Sequence, residues 1–520
     1  MPATAVPVVT RTFVVGLDGA SWRLLTPWIE RSELPNIADL RSTGTWAESR
    51  SCLPPVTFPN WKCYSSGKDP GGFGVFWFEQ VDLANEAITI NNGADFDTAE
   101  LWDYLNDEGY TTGVVNMPTM YPPRELDGVV VCGGPDAVEG EYRSIDSGYT
   151  YPEGLDRELE AAFDYEVHPD PLLSSNAERG AEVDAILSAI EKRFAVAHAL
   201  FEERDLDFMH LTLFYLNVLH HFFWDDEPTL RAWRLVDEWL GRLADLPDTN
   251  LVLMSDHGSA PTTTEFYINE WLAREGYQAR RRTIDDAFGA VGLNRENLLS
   301  IAKRAGVVDV LSRTVPERIQ KLVPQEAGLK RGRKLEAIDL DRTAAVASGQ
   351  GPVYLTDAGE ARREELIEAL SRVVDDDGPL FTAVHRGEDV YTGPYVGAAP
   401  EIVLDQRPGV HVNDGIGGGS VSSAPDRWAA ENTPHGLFVA NGPDYSTAGE
   451  IDPIDIVDIA PTVVASFGCG VPTDMRGSVL PVFADDRSWE HREPLETTAT
   501  ATTDRSGEVA DRLRDLGYME

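Results

Sequence analysis

The sequence predicts an α/β fold in which a largely parallel sheet is covered by helices. Three observations support this prediction. Short apolar runs recur along the 520 residues, amphipathic segments separate them, and carboxylate or amide side chains follow several of the runs. This alternation of strand and helix is typical of layered α/β proteins, which bind ligands at the carboxyl ends of their strands. The length suits one large domain with insertions.

The predicted elements of the first half follow one another in chain order. Strands are predicted at 12–17, 112–116, 129–132, 207–214 and 250–254, and helices from about 35 and at 60–66, 98–108 and 227–246. Residues 54–60 are predicted to form a loop, and residues 140–200 to be acidic and largely helical. Proline near a helix start and glycine after a helix end set such boundaries, as Pro35 and Gly109 do here.

The rest of the chain is predicted to contain an insertion and a tail. The α/β core is expected to occupy residues 1–274 and to resume over 341–481, with strands at 353–355, 401–404 and 436–440. Residues 275–340 contain arginine clusters and short helical patterns, which indicate an inserted, mostly helical cap. Residues 482–520 are polar and indicate a C-terminal tail.

The charge of the chain excludes simple electrostatic attraction to bare nucleic acid or an anionic membrane. The net charge is −43 and the isoelectric point is about 4.5. Such a surface repels phosphate backbones and anionic lipids. Of the 44 basic residues, 7 are Lys and 37 are Arg. An acidic, Lys-poor composition is typical of halophilic proteins, because molar salt screens the self-repulsion.

Cysteine usage and hydropathy favour a cytoplasmic protein without a membrane anchor. The four cysteines, Cys52, Cys63, Cys132 and Cys469, form no CxxC pair and have apolar flanks. They are therefore expected to be free buried thiols, which suits a reducing interior. The first ten residues have no signal-peptide pattern, and no apolar run approaches the length of a membrane span.

Chemistry-bearing residues follow several predicted strands and loops. The most informative run is Met254-Ser-Asp-His-Gly258, because Asp256 and His257 come directly after a buried strand. A carboxylate beside an imidazole suits Zn²⁺ or Mn²⁺. The further candidates are Asp18, Thr57, the segment from Asn217 to His221, and His435. Taken singly, each has an ordinary alternative: Asp18 and Thr57 as helix N-caps, and His435 as a loop histidine without a role.

Taken together, these residues carry a resemblance to a known family. The sequence contains the motifs Val14-Val-Gly-Leu-Asp-Gly19, Pro54-Pro-Val-Thr-Phe-Pro-Asn-Trp61, Ser66-Gly-Lys-Asp-Pro70, Asn116-Met-Pro-Thr-Met-Tyr-Pro-Pro123, His221-Phe-Phe-Trp224, Ser255-Asp-His-Gly258, Asp458-Ile-Ala-Pro-Thr462 and Asp474-Met-Arg-Gly477. In this order they resemble the alkaline phosphatase superfamily, most closely its type I phosphodiesterase/nucleotide pyrophosphatase branch. The resemblance implies a three-layer αβα sheet with an inserted cap.

The resemblance also implies a two-metal site acting on a phosphate ester. One divalent cation, Zn²⁺ or Mn²⁺, would be surrounded by Asp18, Thr57, Asp256 and His257, and the other by position 217, His221 and His435. Thr57 would attack phosphorus to form a phospho-threonine intermediate, which water would then release. The metals would activate the hydroxyl and neutralise charge on phosphorus.

The chain departs from the family pattern at two places. Position 217 should be Asp but is Asn, so a second metal would bind there more weakly. Phe73 stands where the family usually has His, and Val75-Phe-Trp-Phe78 lacks the Asn of the nucleotide pyrophosphatases, which puts nucleotide specificity in doubt. The aromatic side chains of this stretch suit a core, although they could also stack on a substrate ring.

The sequence therefore supports three readings of function. The first is a metal-dependent hydrolase of a small phosphate ester, with a diester preferred. The second is a phosphomonoesterase or phosphotransferase on a sugar or lipid-linked phosphate. The third is a binding protein in which Asn217 has impaired catalysis. Thr57 cannot be converted to formylglycine, which argues against a sulfatase of that type.

Overall fold

A ten-stranded mixed sheet forms the centre of the protein. The computed structural model describes residues 10–137, 148–170, 179–281, 334–416, 418–425 and 428–496. The strands of the central sheet are β1 (Arg11–Gly16), β2 (Thr45–Arg50), β3 (Thr112–Val115), β4 (Gly128–Val131), β5 (Thr150–Tyr151), β6 (Phe208–Thr212), β7 (Thr249–Met254), β8 (His435–Asn441), β9 (Gly449–Glu450) and β10 (Ile454–Asp455). Their order is β9-β2-β8-β7-β1-β6-β3-β4-β5, and β10 also pairs with β2.

The middle of the sheet is parallel and fully buried. Strand β1 pairs in parallel with both β6 and β7, so that Gly16 lies opposite Thr212 and Met254. Every residue of β6 and β7 is buried. Continuous burial explains why these strands read as apolar runs without alternation. Because parallel neighbours end at the same edge of the sheet, the residues that follow β1, β6 and β7 are brought together there.

Helices cover both faces of this sheet. They are α1 (Trp22–Glu30), α2 (Pro35–Thr43), α3 (Thr57–Ser66), α4 (Leu101–Asp107), α5 (Leu155–Phe163), α6 (Arg179–Glu203), α7 (Tyr215–Phe223), α8 (Glu227–Ala244), α9 (Ile268–Arg274), α10 (Asp357–Glu360), α11 (Arg363–Leu370), α12 (Gly387–Val390) and α13 (Ile459–Ser466). One group consists of α2, α5, α6, α7 and α8, and another of α3, α4 and α13. The layered α/β architecture predicted from the sequence is thereby confirmed.

A second apolar cluster lies outside the central sheet. It includes Phe266, Trp271, Val353 and Phe381. Its strands belong to a four-stranded sheet of Ala345–Ala347, Pro352–Leu355, Ile402–Gln406 and Phe381–Arg386, and to a three-stranded sheet of Val410–Asn413, Thr264–Tyr267 and Ser422–Ser423. The predicted helical cap falls mostly on residues 282–333, which lie outside the described residues. Its described flanks meet at a bridge between Arg280 and Ile338.

Short two-stranded pairs complete the described structure. They are Glu79–Asp82 with Ala87–Ile90, Gly258–Pro261 with Ala430–Thr433, Val374–Asp375 with Gly378–Pro379, and Val471–Pro472 with His491–Arg492. The last pair belongs partly to the segment predicted as a polar tail. Within that segment Arg492 forms ion pairs with Asp107 and Glu108, while residues 497–520 lie outside the described part.

Element boundaries differ from the predicted ones by a few residues. The helix predicted to begin at Asn60 begins at Thr57. Pro59 does not prevent this earlier start, since it falls in the first turn, where a missing N–H is tolerated. The helix predicted at 98–108 starts only at Leu101, after a capping box formed by Glu100 and Asp103.

The cysteines behave as the sequence predicts. Cys63, Cys132 and Cys469 are buried free thiols, and Cys52 is a partly buried one. Among the described helices, each is too short or too polar to cross a lipid bilayer.

The close packing of helix α3 on strand β1 can be tested by a substitution at the end of the strand. A Cβ at Gly16 would lie 2.5 Å from Cη2 of Trp61. We therefore expect Gly16→Ala to cost about 1–3 kcal/mol of unfolding free energy, the usual cost of overpacking. Gly180→Ala in helix α6 is the control, because nothing lies within 4 Å of its Cβ. Thermal unfolding should separate the two variants, and equal melting temperatures would contradict the close packing of Trp61 on β1.

Candidate functional site

The turns that follow β1 and β7 are joined by hydrogen bonds. The N–H of Leu17 donates to the carbonyl of Met254 at 2.8 Å, and the N–H of Gly19 donates to Oδ1 of Asp256 at 3.1 Å. Gly19 has φ +68°, a conformation that favours glycine. These bonds place the side chains of Asp18 and Asp256 next to each other at the carboxyl edge of the sheet.

Two carboxylates and one imidazole converge at this edge. The closest approaches to Nε2 of His257 are 3.2 Å from Oδ2 of Asp256 and 3.7 Å from Oδ1 of Asp18. Ligand atoms of the three side chains all lie within 4.8 Å of one another, and all three side chains are fully buried. Trp61 donates from Nε1 to Oδ2 of Asp18 at 3.1 Å. Oδ1 of Asp18 and Oδ2 of Asp256 have no hydrogen-bond donor.

The tautomer of His257 is set by its backbone contact. Its Nδ1 lies 3.0 Å from the carbonyl oxygen of Gly258, which can only accept, so Nδ1 carries the proton. Nε2 then presents a lone pair to the two carboxylates. Burial lowers the pKa of His257 to about 3, so the ring is neutral near pH 7.

The group of Asp18, Asp256 and His257 would be stabilised by a positive charge. Burial raises the pKa of Asp18 well above its usual value, and repulsion from Asp256 adds to the effect. Burial likewise raises the pKa of Asp256. Two carboxylate oxygens without donors and one imidazole lone pair form a set of three acceptors. Such a donor set fits a divalent cation, which would replace the missing hydrogen-bond donors.

Thr57 stands at the first position of helix α3, beside the same imidazole. Its Oγ1 lies 3.4 Å from Nε2 of His257, and the side chain is fully buried. Asn60 holds the preceding loop by donating to the carbonyls of Pro54 at 2.9 Å and Val56 at 3.0 Å. The same side chain accepts from the N–H of Cys52 at 2.8 Å. These bonds fix the hydroxyl at a helix N-terminus, which attracts phosphate through its dipole and unpaired N–H groups.

Asn217 of helix α7 lies against the turn that carries Asp18. Burial raises the pKa of the Asp18 carboxyl, and the nearby amide of Asn217 partly offsets this rise. Nδ2 of Asn217 donates to Oδ1 of Asn432 at 3.3 Å. Position 217 thus reaches the site with a neutral amide, paired to a second amide that the sequence analysis did not single out.

His221 is held beside the first group by the same helix. Its Nδ1 donates to the carbonyl of Ala430 at 2.8 Å, which leaves Nε2 as the nitrogen able to bind a cation. The ring stacks on Trp428 with centroids 3.7 Å apart. Burial lowers the pKa of His221 to about 4. The neighbouring His220 instead accepts from Nε1 of Trp233 at 3.0 Å and stacks on that ring, which is a packing role.

The backbone of His435 lies beside Gly258, but its side chain contacts Glu48. Its side chain is 44% exposed, and its Nδ1 lies 2.8 Å from Oε1 of Glu48. The structure therefore brings together Asp18, Thr57, Asp256 and His257, places Asn217 and His221 beside them, and leaves the imidazole of His435 against a surface carboxylate.

Several residues that build the site were not identified from the sequence. Trp61 and Asn60 belong to the motif around Thr57, so the sequence indicated that they lie near the site. It did not indicate which contacts they make there. Ser259, which donates to the carbonyl of Gly19 at 2.6 Å, had no signal at all. The aromatic residues Phe73, Phe76, Trp77 and Phe78 are all buried, as expected for core packing.

The repulsion between the Asp18 and Asp256 carboxylates can be tested in protein from which a chelator has removed any metal. Because burial raises the pKa of both carboxyls, the folded state retains protons that the unfolded chain has lost. The stability of metal-free protein should therefore fall as the pH rises above the usual carboxyl pKa of about 4. We expect Asp18→Asn to stabilise chelated protein by about 1–3 kcal/mol near neutral pH and by less at acid pH.

Urea unfolding of chelated Asp18→Asn at several pH values measures this gap, with the exposed Asp39→Asn as control. A stability gap that stays constant between acid and neutral pH would contradict the proposed repulsion.

A comparison with curated proteins gave no match. Phosphonoacetate hydrolase from Sinorhizobium meliloti 1021, solved with phosphonoformate and with phosphonoacetate, is similar in fold at 15% identity and a TM-score of 0.55, covering 84% of this chain and 90% of that chain.

Murine ectonucleotide pyrophosphatase/phosphodiesterase 5 gives a TM-score of 0.47 at 12% identity, over 89% of this chain and 96% of that chain. The sequence itself matches the type I phosphodiesterase/nucleotide pyrophosphatase family over residues 12–436. That range includes Asp18, Thr57, Asp256, His257 and the strands that carry them. The chain therefore belongs to the type I phosphodiesterase/nucleotide pyrophosphatase family, a family of phosphoric ester hydrolases.

Proposed function

We propose that this protein is a metal-dependent phosphodiesterase that uses Thr57 as its nucleophile. The observation that carries the proposal is the position of the Thr57 hydroxyl, 3.4 Å from Nε2 of His257 and beside two carboxylate oxygens without donors. A hydroxyl needs either a base or a cation to become a nucleophile. His257 donates from its other nitrogen to a backbone carbonyl and has a pKa near 3, so it is a weak base and a good ligand.

A divalent cation fits the acceptors around Thr57, and Zn²⁺ or Mn²⁺ suits their mixture of carboxylate and imidazole. Asp18, Asp256 and His257 would hold it, with Thr57 next to it. When bound, it would lower the pKa of the hydroxyl and neutralise charge on the phosphoryl oxygens. The resemblance to the family implies a second cation beside His221.

The residues of this chain then carry out two displacements. Oγ1 of Thr57 attacks phosphorus, a new P–O bond forms to the threonine, and the bond to the leaving group breaks. The hydroxyl proton passes through solvent to the departing alkoxide, which leaves as the alcohol. Water then attacks the phospho-threonine, which restores the hydroxyl and releases the second product. Thr57 stands at the N-terminus of helix α3, whose dipole would stabilise the charge on the phosphoryl oxygens in both steps.

A small phosphate diester is the substrate that we propose. The phosphonoacetate hydrolase of similar fold was solved with phosphonoformate and phosphonoacetate, which carry an anionic phosphorus group of small size. The buried site here would likewise accept such a group. The four free thiols suit a reducing, cytoplasmic setting, and the charge of −43 suits a halophilic protein that works in molar salt. Assays should therefore be run at high salt.

The direct test replaces Thr57 by residues of nearly the same size. Thr57→Val removes only the hydroxyl and should lower kcat on a chromogenic phosphodiester by about a thousandfold or more. Thr57→Ser keeps a hydroxyl and should retain measurable turnover. Acid quenching during turnover should trap on Thr57 the phosphoryl group with its remaining ester, detected by mass spectrometry of the peptide. Unchanged turnover in Thr57→Val, or a phosphoryl group on another residue, would contradict the nucleophile.

The same assay separates the other readings. Faster turnover of monoesters than of diesters would favour a phosphomonoesterase or phosphotransferase on a sugar or lipid-linked phosphate. No turnover with Zn²⁺ or Mn²⁺, in the parent and in Asn217→Asp alike, would favour a binding protein. The neutral amide at Asn217 is the observation behind that last reading.

A further inference from the structure

The half of the site beyond Asp18 presents amides where the family resemblance implies the ligands of a second cation. Position 217 offers an amide, and the imidazole of His435 contacts Glu48. Among the described His, Cys, Asp and Glu side chains, the only three whose ligand atoms all lie within 4.8 Å of one another are those of the first cation group. A second cation would therefore depend on side chains outside that group.

Asn432 supplies the second amide of this half. It lies on the strand Ala430–Thr433, directly opposite Ser259 in an antiparallel pair. Opposite residues of such a pair direct their side chains to the same face, and Ser259 donates to the carbonyl of Gly19 at 2.6 Å. Asn432 therefore belongs to the face that meets the turn carrying Asp18. The residue is 1% exposed.

The two amides are paired in a way that leaves a donor rather than an acceptor. Nδ2 of Asn217 donates to Oδ1 of Asn432 at 3.3 Å, so this oxygen is already engaged. The buried Nδ2 of Asn432 has no hydrogen-bond acceptor among the described residues. A divalent cation needs lone pairs, whereas an amide N–H₂ group offers only protons. The amide pair therefore does not fit a second cation.

The neighbouring carboxylate does not make up for the missing charge. Oε1 of Glu431 accepts from Nε2 of Gln350 at 2.8 Å and from the N–H of Asn432 at 2.9 Å, and its Oε2 contacts Nδ1 of His411. Both oxygens of this carboxylate are therefore engaged in contacts away from a cation. One imidazole, that of His221, is too small a ligand set for a divalent ion that normally takes four or more donors.

A buried N–H donor beside a bound cation suits a phosphoryl oxygen. A buried donor without an acceptor is costly, so the unpaired N–H of Asn432 favours binding of an oxygen there. Because the amide pair already orients this donor, little reorganisation is needed when it meets a charge.

The charge of the site sets the charge of the substrate. Asp18 and Asp256 balance the charge of one divalent cation, so the loaded group is close to neutral. Neutral amides then have to stabilise the charge that the substrate brings. Burying one negative charge under these conditions costs less than burying two. A phosphate diester carries one negative charge, and a monoester dianion carries two.

We propose that this half of the site binds no second cation and that Nδ2 of Asn432 donates to a phosphoryl oxygen of a singly charged phosphate diester. This inference rests on the proposed function, because Thr57 and the first cation act on the same phosphorus. Asn432 is then a substrate-binding residue, and Asn217 orients it by occupying its Oδ1.

Metal stoichiometry of the full-length protein tests the first part. The protein is stripped with chelator, titrated with Mn²⁺ in a calorimeter, and analysed for bound metal by mass spectrometry. The parent should bind one equivalent, and electron paramagnetic resonance should show an isolated Mn²⁺ ion. Two equivalents, or a spectrum of two coupled ions, would overturn this inference and leave the proposed function standing. A parent that binds no metal would overturn the proposed function itself.

Binding of an unreacted diester tests the second part. A diaryl phosphate is titrated into Mn²⁺-loaded Thr57→Val, in which the nucleophile is absent. Adding Asn432→Ala should weaken its binding by about tenfold to a hundredfold, the loss expected for one hydrogen bond to a charged group. Adding Asn85→Ala, an exposed amide far along the chain, should leave binding unchanged. Each variant should keep its single equivalent of Mn²⁺, and the aryl monoester should bind at least about tenfold more weakly than the diester.

The same titrations can contradict the role of Asn432. Unchanged diester affinity in the Asn432→Ala protein would overturn it, even where the melting temperature falls, because the amide pair would then be structural only. Monoester binding as tight as that of the diester would overturn the selection for a single charge. Asn432→Leu keeps a side chain of similar length without an N–H and gives the same readout if the alanine variant does not fold.

Discussion

Two buried carboxylates facing the lone pair of one neutral imidazole are the constraint on which this structure depends. Asp18 and Asp256 leave two oxygens without donors, and His257 offers them no proton, because its Nδ1 donates to the carbonyl of Gly258. The parallel pairing of β1 with β7 and the N–H of Gly19 hold the acceptors together despite their repulsion. Sheet packing thus offsets the free-energy cost of holding these acceptors together, as the proposed cation site requires.

The surroundings of this group serve catalysis by restricting motion. Trp61 fixes one oxygen of Asp18, and Asn60 ties the loop before helix α3 to the first turn of that helix. A phosphoryl transfer needs little acid–base chemistry from the protein, but it needs the nucleophile and the charges to be placed in advance. The helix N-terminus at Thr57 and the carboxylates meet this need, which agrees with the proposed nucleophile belonging to a helix.

The sequence predicted the central sheet and the meeting of Asp18 with Asp256 at its edge, for a physical reason. Residues that follow buried parallel strands must meet at one edge, so Asp18 and Asp256 could be placed together from β1 and β7 alone. Thr57 was placed by its motif. The surroundings of His221 could not be predicted. Glu431 lies on a strand of an antiparallel pair and His411 on a strand of a smaller sheet, and the register of these strands cannot be derived from the sequence. The side-chain direction of His435, toward Glu48, depends on the same register.

Anomalous diffraction from a crystal soaked in Mn²⁺ would test the central claim most directly. We expect a strong peak within coordination distance of Asp18, Asp256 and Nε2 of His257, with Oγ1 of Thr57 beside it. We also expect the peak to disappear when Asp256 is replaced by Asn, while the fold stays unchanged. A crystal of folded protein with no peak among these atoms, or with the cation bound away from Thr57, would contradict it.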